Sequence, residues 1–345
     1  MPPALPITVI IPAYNAAATI GDALAGIGAQ TRQPARTIVV DDGSTDATAR
    51  IARECGVEVI SQRNRGVAAA RNTGIRAAAT PWIALLDADD RWCPDRLEAQ
   101  WRLHELRPDV AVLATDYAFC IEGKLRPKAV MQSLGRYRRM RRDAFAGGSF
   151  VPRAELLRAI LPGNFVLPST MLLHRRVFSE FGTYFAETDR LPSGPEFFVG
   201  EDYEWLLRLL GHSDVLVAER VLVEYRRGAG TLSAPGGRLR YGDVKLGEFV
   251  CGRAGHYPRA ASEAFRRLRP QQLREASLRY LAAGDVARAR AMLREAQRTR
   301  ADPGILMLLG LTRPLETPVG QRLFAFTLST WRKRLRPLLR AGRFT

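Results

Sequence analysis

The chain has 345 residues, 46% of them hydrophobic, and a formal net charge of +17 from 52 Lys and Arg against 35 Asp and Glu. That length admits one large α/β domain with an appendage or two modest domains, and the apolar content excludes a disordered chain. The basic balance points to anionic partners (nucleic acid, acidic lipid headgroups or phosphorylated substrates) or to a solvated basic surface. Ile7 to Ile11 is a β-branched run ended by Pro12, which predicts a first strand. Ile20, Leu24 and Ile27 recur at i, i+4, i+7 and predict an amphipathic helix after the Pro12-Ala13-Tyr14-Asn15 turn. Arg36 to Val40 reads as a second strand, closed by Asp41-Asp42-Gly43-Ser44, and a helix follows from Asp46 to Cys55 with Gly56 as its C-terminal cap. Val57 to Ile60 is a third strand, and a third helix runs from Gly66 to Ala79. The apolar stretch Trp82 to Leu86 is a strand buried on both faces, and it stops at the carboxylates Asp87, Asp89 and Asp90.

This β-α-β-α-β-α-β series implies a parallel sheet with right-handed crossovers. Val110 to Thr115, Pro168 to Leu173 and Val221 to Tyr225 read as further strands, and Tyr203 to Leu210 as a helix. The region from Glu122 to Asn164 is less regular and carries the basic run Arg136 to Arg142. Ser, Pro and Gly dominate from Thr231 to Gly237, which divides the chain into a domain over 1–230 and a basic helical extension over 231–345. Within the extension, Leu273 to Thr299 reads as a helix-turn-helix about Gly284-Asp285. The tail places Trp331, Leu335, Leu338 and Leu339 on one helical face with basic residues between them, which suits an anionic membrane surface or a helix packed on the domain. The cysteines Cys55, Cys93, Cys120 and Cys251 form no CxxC pair, so a reducing compartment is expected rather than a zinc site. The first residues lack a signal-peptide pattern, and no apolar run nears the ~20 residues that span a bilayer. The expectation is a cytoplasmic protein, peripheral on the cytoplasmic face of the membrane if the tail binds there.

Four features converge on the carboxyl edge of the sheet, where open α/β folds bind ligands. Pro12 to Asn15 places a ring and an amide after strand one. Asp41 and Asp42 can accept hydrogen bonds from a base or ribose, or they can form a turn before a helix cap. Arg71 falls on the sheet-facing stripe of its helix, so it needs a buried partner: a phosphate, or a carboxylate such as Asp87. Asp87 and Asp89 would face one side in extended backbone, where their repulsion is relieved by a raised pKa or a bound cation. Oxygen-only ligands suit Mg²⁺ or Mn²⁺; the alternative is an acidic turn capping the next helix.

Together these residues resemble the inverting family-2 glycosyltransferases of the GT-A fold. The matching stretches are Val9 to Asn15, Val40 to Asp46, Asn64-Arg65-Gly66 with Ala70 to Gly74, and Asp87-Ala88-Asp89-Asp90 as the DxD. The likeness resumes at Glu201-Asp202, as the ED motif, and at Tyr225-Arg226. It implies an α/β GT-A fold, a Rossmann-like mostly parallel sheet flanked by helices, with the small helical extension appended. It further implies a nucleoside diphosphate sugar donor, UDP-type, held by Pro12, Ala13, Tyr14, Asn15, Asp41, Asp42, Gly66, Arg71, Asp87 and Ala88. Mg²⁺ or Mn²⁺ would sit on Asp89 and Asp87, and Asp202 would be the catalytic base that deprotonates a hydroxyl acceptor such as a lipid-linked glycan. Many relatives carry a histidine after the Tyr-Arg pair, where this chain has Gly228, and Arg226 or Arg227 could supply the missing positive charge. No QxxRW motif appears, so a single addition is expected, in the synthesis of cell-surface polysaccharide or glycolipid. The contrasting reading is a non-catalytic anion- or nucleic-acid-binding protein on a nucleotide-binding α/β fold. Its basic residues are spread along the chain with no nucleic-acid module, so no nucleic acid is expected as a partner.

Overall fold

A computed structural model describes residues 3–182, 184–186, 193–194, 197–198, 200–227, 237–283, 285–299 and 303–312. The first half alternates strand and helix as the apolar periodicity predicts: β1 (Leu5–Ala13), α1 (Ile20–Gly28), β2 (Pro34–Asp41), α2 (Thr48–Glu54), β3 (Glu58–Ser61), α3 (Val67–Ala77) and β4 (Trp82–Leu85). Next come β5 (Arg91–Trp92), α4 (Arg96–Leu106), β6 (Val112–Ile121), β7 (Lys124–Arg126), α5 (Val130–Ser133), α6 (Gly135–Arg138), β8 (Asp143–Phe145), β9 (Gly148–Val151) and α7 (Arg153–Ile160). The series continues through β10 (Leu172–His174), α8 (Arg176–Ser179), the short antiparallel pair β11 (Ser193–Gly194) and β12 (Phe197–Phe198), α9 (Glu201–Leu209) and β13 (Val215–Arg227).

The large sheet runs β3-β2-β1-β4-β10-β6-β13-β9-β8. β3, β2, β1 and β4 are parallel; β10 lies antiparallel between β4 and β6, and β13 is parallel to β6. The central strands are largely apolar, as strands covered on both faces are, and Ile7, Val9, Ile10, Ile11, Ile83 and Leu85 are fully buried. α3 lies close on β1 because Gly74 presents no side chain there: a Cβ would stand 2.4 Å from Cγ2 of Ile10 and 3.2 Å from Cγ2 of Val40.

Three expectations need correction. Pro168 to Thr170 is a turn of 3₁₀ helix, and only Leu172–His174 is strand. The ring of Pro168 supplies no donor, and the Thr170 hydroxyl bonds back to the Leu167 carbonyl at 2.6 Å, so the chain turns before it pairs. The strand expected over Val221 to Tyr225 begins at Val215, since a register shift between Ala218 and Val221 lets pairing with β6 continue past half-buried Glu219 and exposed Arg220. Asp87 to Asp90 is a tight turn, closed by the Asp90 amide on the Asp87 carbonyl at 3.0 Å. Extended-strand alternation therefore does not place Asp87 and Asp89.

By contacts the chain forms two compact units, one of Met1–Leu191 with Glu201–Thr231 and one of Pro192–Gly200 with Leu232–Thr345. In the second, α10 (Gly237–Gly252) packs on α11 (Arg259–Ala283), α11 on α12 (Val286–Thr299) and α12 on α13 (Pro303–Thr312), around Val244, Leu273, Leu293 and Ile305. Gly228, the Thr231 to Gly236 stretch, Gly284 and the tail bearing Trp331 lie outside the described residues. No helix among the described residues is long and apolar enough to cross a membrane.

Candidate active site

The carboxyl ends of β1, β2 and β4 carry the residues singled out in the sequence. Pro12 and Ala13 are the buried last two residues of β1, and Tyr14 stands beyond them at 52% exposure. Asn15 has a positive φ of 48° and ties this end to the loop after β2: its amide donates to the Ser44 hydroxyl at 2.9 Å, and its Oδ1 accepts the Thr45 amide at 2.9 Å. Asp41 caps the same loop through the Ser44 amide at 3.1 Å. Asp42 is 3% exposed and accepts three donors, the Gln62 amide group at 2.7 Å and the backbone amides of Arg65 at 3.0 Å and Gly66 at 2.7 Å. Its carboxylate thus clamps the loop that leads into α3. Gly43 adopts φ 79° where a Cβ would meet the Asn64 amide nitrogen at 2.9 Å, so the tight Asp-Gly turn needs glycine.

Arg71 is the hub. Its side chain is 4% exposed, with Nη2 on Asp87 Oδ1 at 2.6 Å and Nη1 on Glu201 Oε1 at 2.6 Å. Burial works against the charge, and the two carboxylates more than offset it, so the guanidinium stays protonated. The sheet-facing stripe of α3 put Arg71 inside and its carboxylate partner is Asp87; Glu201 is a second partner that the sequence did not disclose. Glu201 comes from the first turn of α9, which is anchored one turn later by Trp205, stacked on Phe185 at 4.5 Å between centroids. Phe185 in turn is held to α3 by Asn72, whose side-chain amide exchanges hydrogen bonds of 2.8 and 3.0 Å with the Phe185 backbone.

The acidic turn is assembled from three distant segments. The Ser169 hydroxyl accepts the Asp87 amide at 3.0 Å and donates to Asp90 at 2.5 Å, and the other Asp90 oxygen accepts the Arg226 amide at 3.1 Å. Burial, then the charges of Asp87 and Asp89, push the Asp90 carboxyl well above the ordinary range. Asp89 is raised to about 6, by burial first and by Asp87 next. The Arg226 guanidinium bonds Asp22 at 2.6 Å on α1, close enough to Asp89 to oppose that rise.

Asp202 follows Glu201 on α9 and accepts its only side-chain partner, the Asn164 amide, at 3.4 Å among the described residues. Its carboxyl is raised to about 7, chiefly by burial and then by the charge of Glu201, with Arg71 pulling the other way. A carboxylate titrating near neutrality is suited to take a proton at physiological pH. Asn164 and Ser169 were missed as site residues, since the polar triplet Pro168-Ser169-Thr170 has no periodic signal and Asn164 lies in the irregular region; Asp90 was legible as part of the acidic stretch but not its bond to Ser169. Among the described residues no group of three His, Cys, Asp or Glu side chains is arranged about one point. Two hard carboxylates, Asp87 and Asp89, nonetheless fit Mg²⁺ or Mn²⁺, which commonly takes one or two carboxylates and completes its shell with substrate phosphates.

Set against known proteins, residues 8–180 match the family description "Glycosyl transferase family 2". The chain belongs to that family. The matched segment spans β1 through α8, so it includes Arg71 and the acidic turn, while Glu201 and Asp202 lie beyond it. Among curated relatives of the family, succinoglycan biosynthesis protein ExoO of Rhizobium meliloti is 44% identical over 95 residues, 26% of this chain and 27% of that protein. The putative teichuronic acid biosynthesis glycosyltransferase TuaG of Bacillus subtilis is 37% identical over 102 residues, 27% of this chain and 40% of that protein. The matches span well under two thirds of these relatives. Among solved structures, S. aureus TarS 1-349 in complex with UDP-GlcNAc superposes with a TM-score of 0.57 at 16% identity, covering 96% of this chain and 91% of that one. That likeness establishes the GT-A-like fold of this family-2 chain.

Proposed function

We propose that this family-2 chain transfers one sugar, with inversion, from a nucleoside diphosphate sugar of the UDP type to a hydroxyl acceptor, in cell-surface polysaccharide or glycolipid synthesis. The observation that carries the reading is the Arg71 fork, which joins Asp87 of the acidic turn to Glu201 and so sets Asp202 beside that turn. Inversion requires one in-line displacement, so a single carboxylate takes the acceptor proton on the face away from the leaving diphosphate; Asp202, raised to about 7, is that group. Tyr14, Asn15, Asp41, Asp42 and Gly66 form the nucleotide side, with the exposed Tyr14 ring available to a base. Asp89 and Asp87 would hold the cation, which when bound supplies positive charge to the leaving diphosphate. The names of relatives support the reading: two belong to succinoglycan and teichuronic acid synthesis, and TarS binds UDP and UDP-GlcNAc.

The test is a thermal-shift panel of nucleotide sugars with Mn²⁺, followed by transfer and donor hydrolysis with the best binder. Asp202→Asn is expected to bind donor and lose turnover. Failure of every nucleotide to bind, or full activity in Asp202→Asn, would reject the assignment.

A further inference from the structure

Three side chains grip the turn that presents Ser169. Trp92 of β5, with Arg96 and Gln100 of α4, are 2%, 0% and 0% exposed. The Trp92 indole N–H donates to the Ser169 carbonyl, the Gln100 amide group to the Thr170 carbonyl and Arg96 Nη2 to the Met171 carbonyl, each at 3.0 Å. Three consecutive carbonyls at the end of one 3₁₀ turn are thus met by three side chains of one short segment. That segment is itself seated by Gln30, whose Oε1 accepts the Leu97 amide at 3.0 Å and whose Nε2 donates to the Cys93 carbonyl at 2.8 Å.

Core packing alone does not call for this arrangement. The Arg96 guanidinium lies over the Trp92 ring at 3.7 Å, and burial pushes its pKa well down with no acid to offset the effect. Among the described residues its Nε and Nη1 have no hydrogen-bond partner. Such a buried cation is costly, and an apolar side chain of similar volume is commonly as stable in its place. Nor would the Met171 carbonyl be left bare without it, because that oxygen also accepts the Leu85 amide at 3.3 Å. What Trp92, Arg96 and Gln100 share is the backbone they fix. From it the Ser169 hydroxyl reaches both the Asp87 amide and Asp90, and a shift of about an ångström would break both bonds.

Resting on the transferase reading above, we propose that Trp92, Arg96 and Gln100 are positioning residues: they set the Ser169 turn, and through it the acidic turn, in the geometry that receives the donor diphosphate and its cation. A local departure from the most stable packing is the expected cost of a site held to that geometry.

The test uses the full chain with Arg96→Met, which leaves each of the three carbonyls a donor. Trp92→Phe, which keeps a ring and drops the N–H, is the second variant. Amide hydrogen exchange is read at Asp87, bonded to Ser169, and at its neighbour Leu86, bonded to the Ile10 carbonyl at 3.1 Å. In both variants Asp87 should exchange about tenfold faster with Leu86 unchanged, and the calorimetric affinity for Mn²⁺ with UDP should fall about tenfold. Arg96→Lys, which keeps a donor, should restore part of both. A merely structural role would speed the two amides alike. Equal acceleration at both, unchanged protection of Asp87, or a freed Asp87 amide with undiminished Mn²⁺–UDP affinity would overturn the proposal. If the wild-type chain binds no UDP, the donor assignment falls, and exchange at Asp87 against Leu86 still decides whether the three residues hold the acidic turn.

Discussion

The Ser169 hydroxyl joins Asp90 and the Asp87 amide, although 79 and 82 residues of chain separate it from them. Both oxygens of buried Asp90 are occupied, one by Ser169 and one by the Arg226 amide, so the acidic turn and the end of β13 are fixed by one carboxyl group. Ser169→Ala leaves the Asp87 amide without its acceptor and should cost about 1–3 kcal/mol in urea denaturation. It should also raise the apparent donor KM, because Asp87 is no longer held. Asp90→Asn is expected to be milder than Asp90→Leu, since a hydroxyl can rotate to accept an amide N–H but cannot bond an alkyl group.

Removing Arg71 leaves half-buried Asp87 and buried Glu201 as unpaired like charges. Arg71→Met should destabilise the chain by roughly 3–5 kcal/mol, the usual cost of breaking a buried pair from one side. Adding Glu201→Gln should recover part of that loss. A double-mutant cycle by chemical denaturation gives the coupling, and strict additivity would contradict the fork.

As the proposed base, the Asp202 carboxyl must be ionised, and burial with the charge of Glu201 raises its midpoint to about 7. The rate of transfer should therefore rise with pH, tenfold per unit, and level off above about 7. Glu201→Gln removes a like charge and should move the break to lower pH. Asp202→Asn should lower the rate by about 10²- to 10⁴-fold with no pH break. A pH profile of kcat/KM checks all three.

The raised carboxyls also act on stability. Asp89 and Asp202, at about 6 and about 7, bind protons more tightly in the folded chain than in the unfolded one. Unfolding free energy should therefore fall as pH rises from about 4, the unfolded value, through about 7. Mn²⁺ with UDP should raise the melting temperature more at about pH 8 than at about pH 5, because protons no longer compete for the carboxylates. A melt series over pH with and without the ligands decides it.

Gly74→Ala would ordinarily favour a helix by about 1 kcal/mol. Here the added methyl runs into Ile10 and Val40, so a net loss of about 1–3 kcal/mol is expected from overpacking. Denaturation midpoints of the two proteins give the sign.

Much of this arrangement could be read along the chain. The alternating apolar runs of the first ninety residues place four parallel strands, and the stripe of α3 turns Arg71 inward toward Asp87. What could not be read are contacts made across the sheet. Ser169 sits in a turn without periodicity, Glu201 shares its motif with Asp202 but faces another helix, and Asn164 lies in a stretch with no regular pattern. The Asp87-Ala88-Asp89 spacing suggested two carboxylates aligned by a strand, whereas a turn after Leu85 brings them together. Each of these depends on long-range pairing, which local pattern does not encode.

The antiparallel strand β10 gives the sheet a seam. A parallel strand brings its exit to the reactive edge, but β10 brings its entrance, so Ser169 arrives there before the strand begins. The residues that close the seam come late in the chain, Glu201 and Arg226 both lying after β10. The first four strands can pair through local crossovers, whereas completing the acidic turn requires closing loops of 79 and 136 residues. By contact order, assembly of the reactive edge is expected to follow pairing of the first four strands.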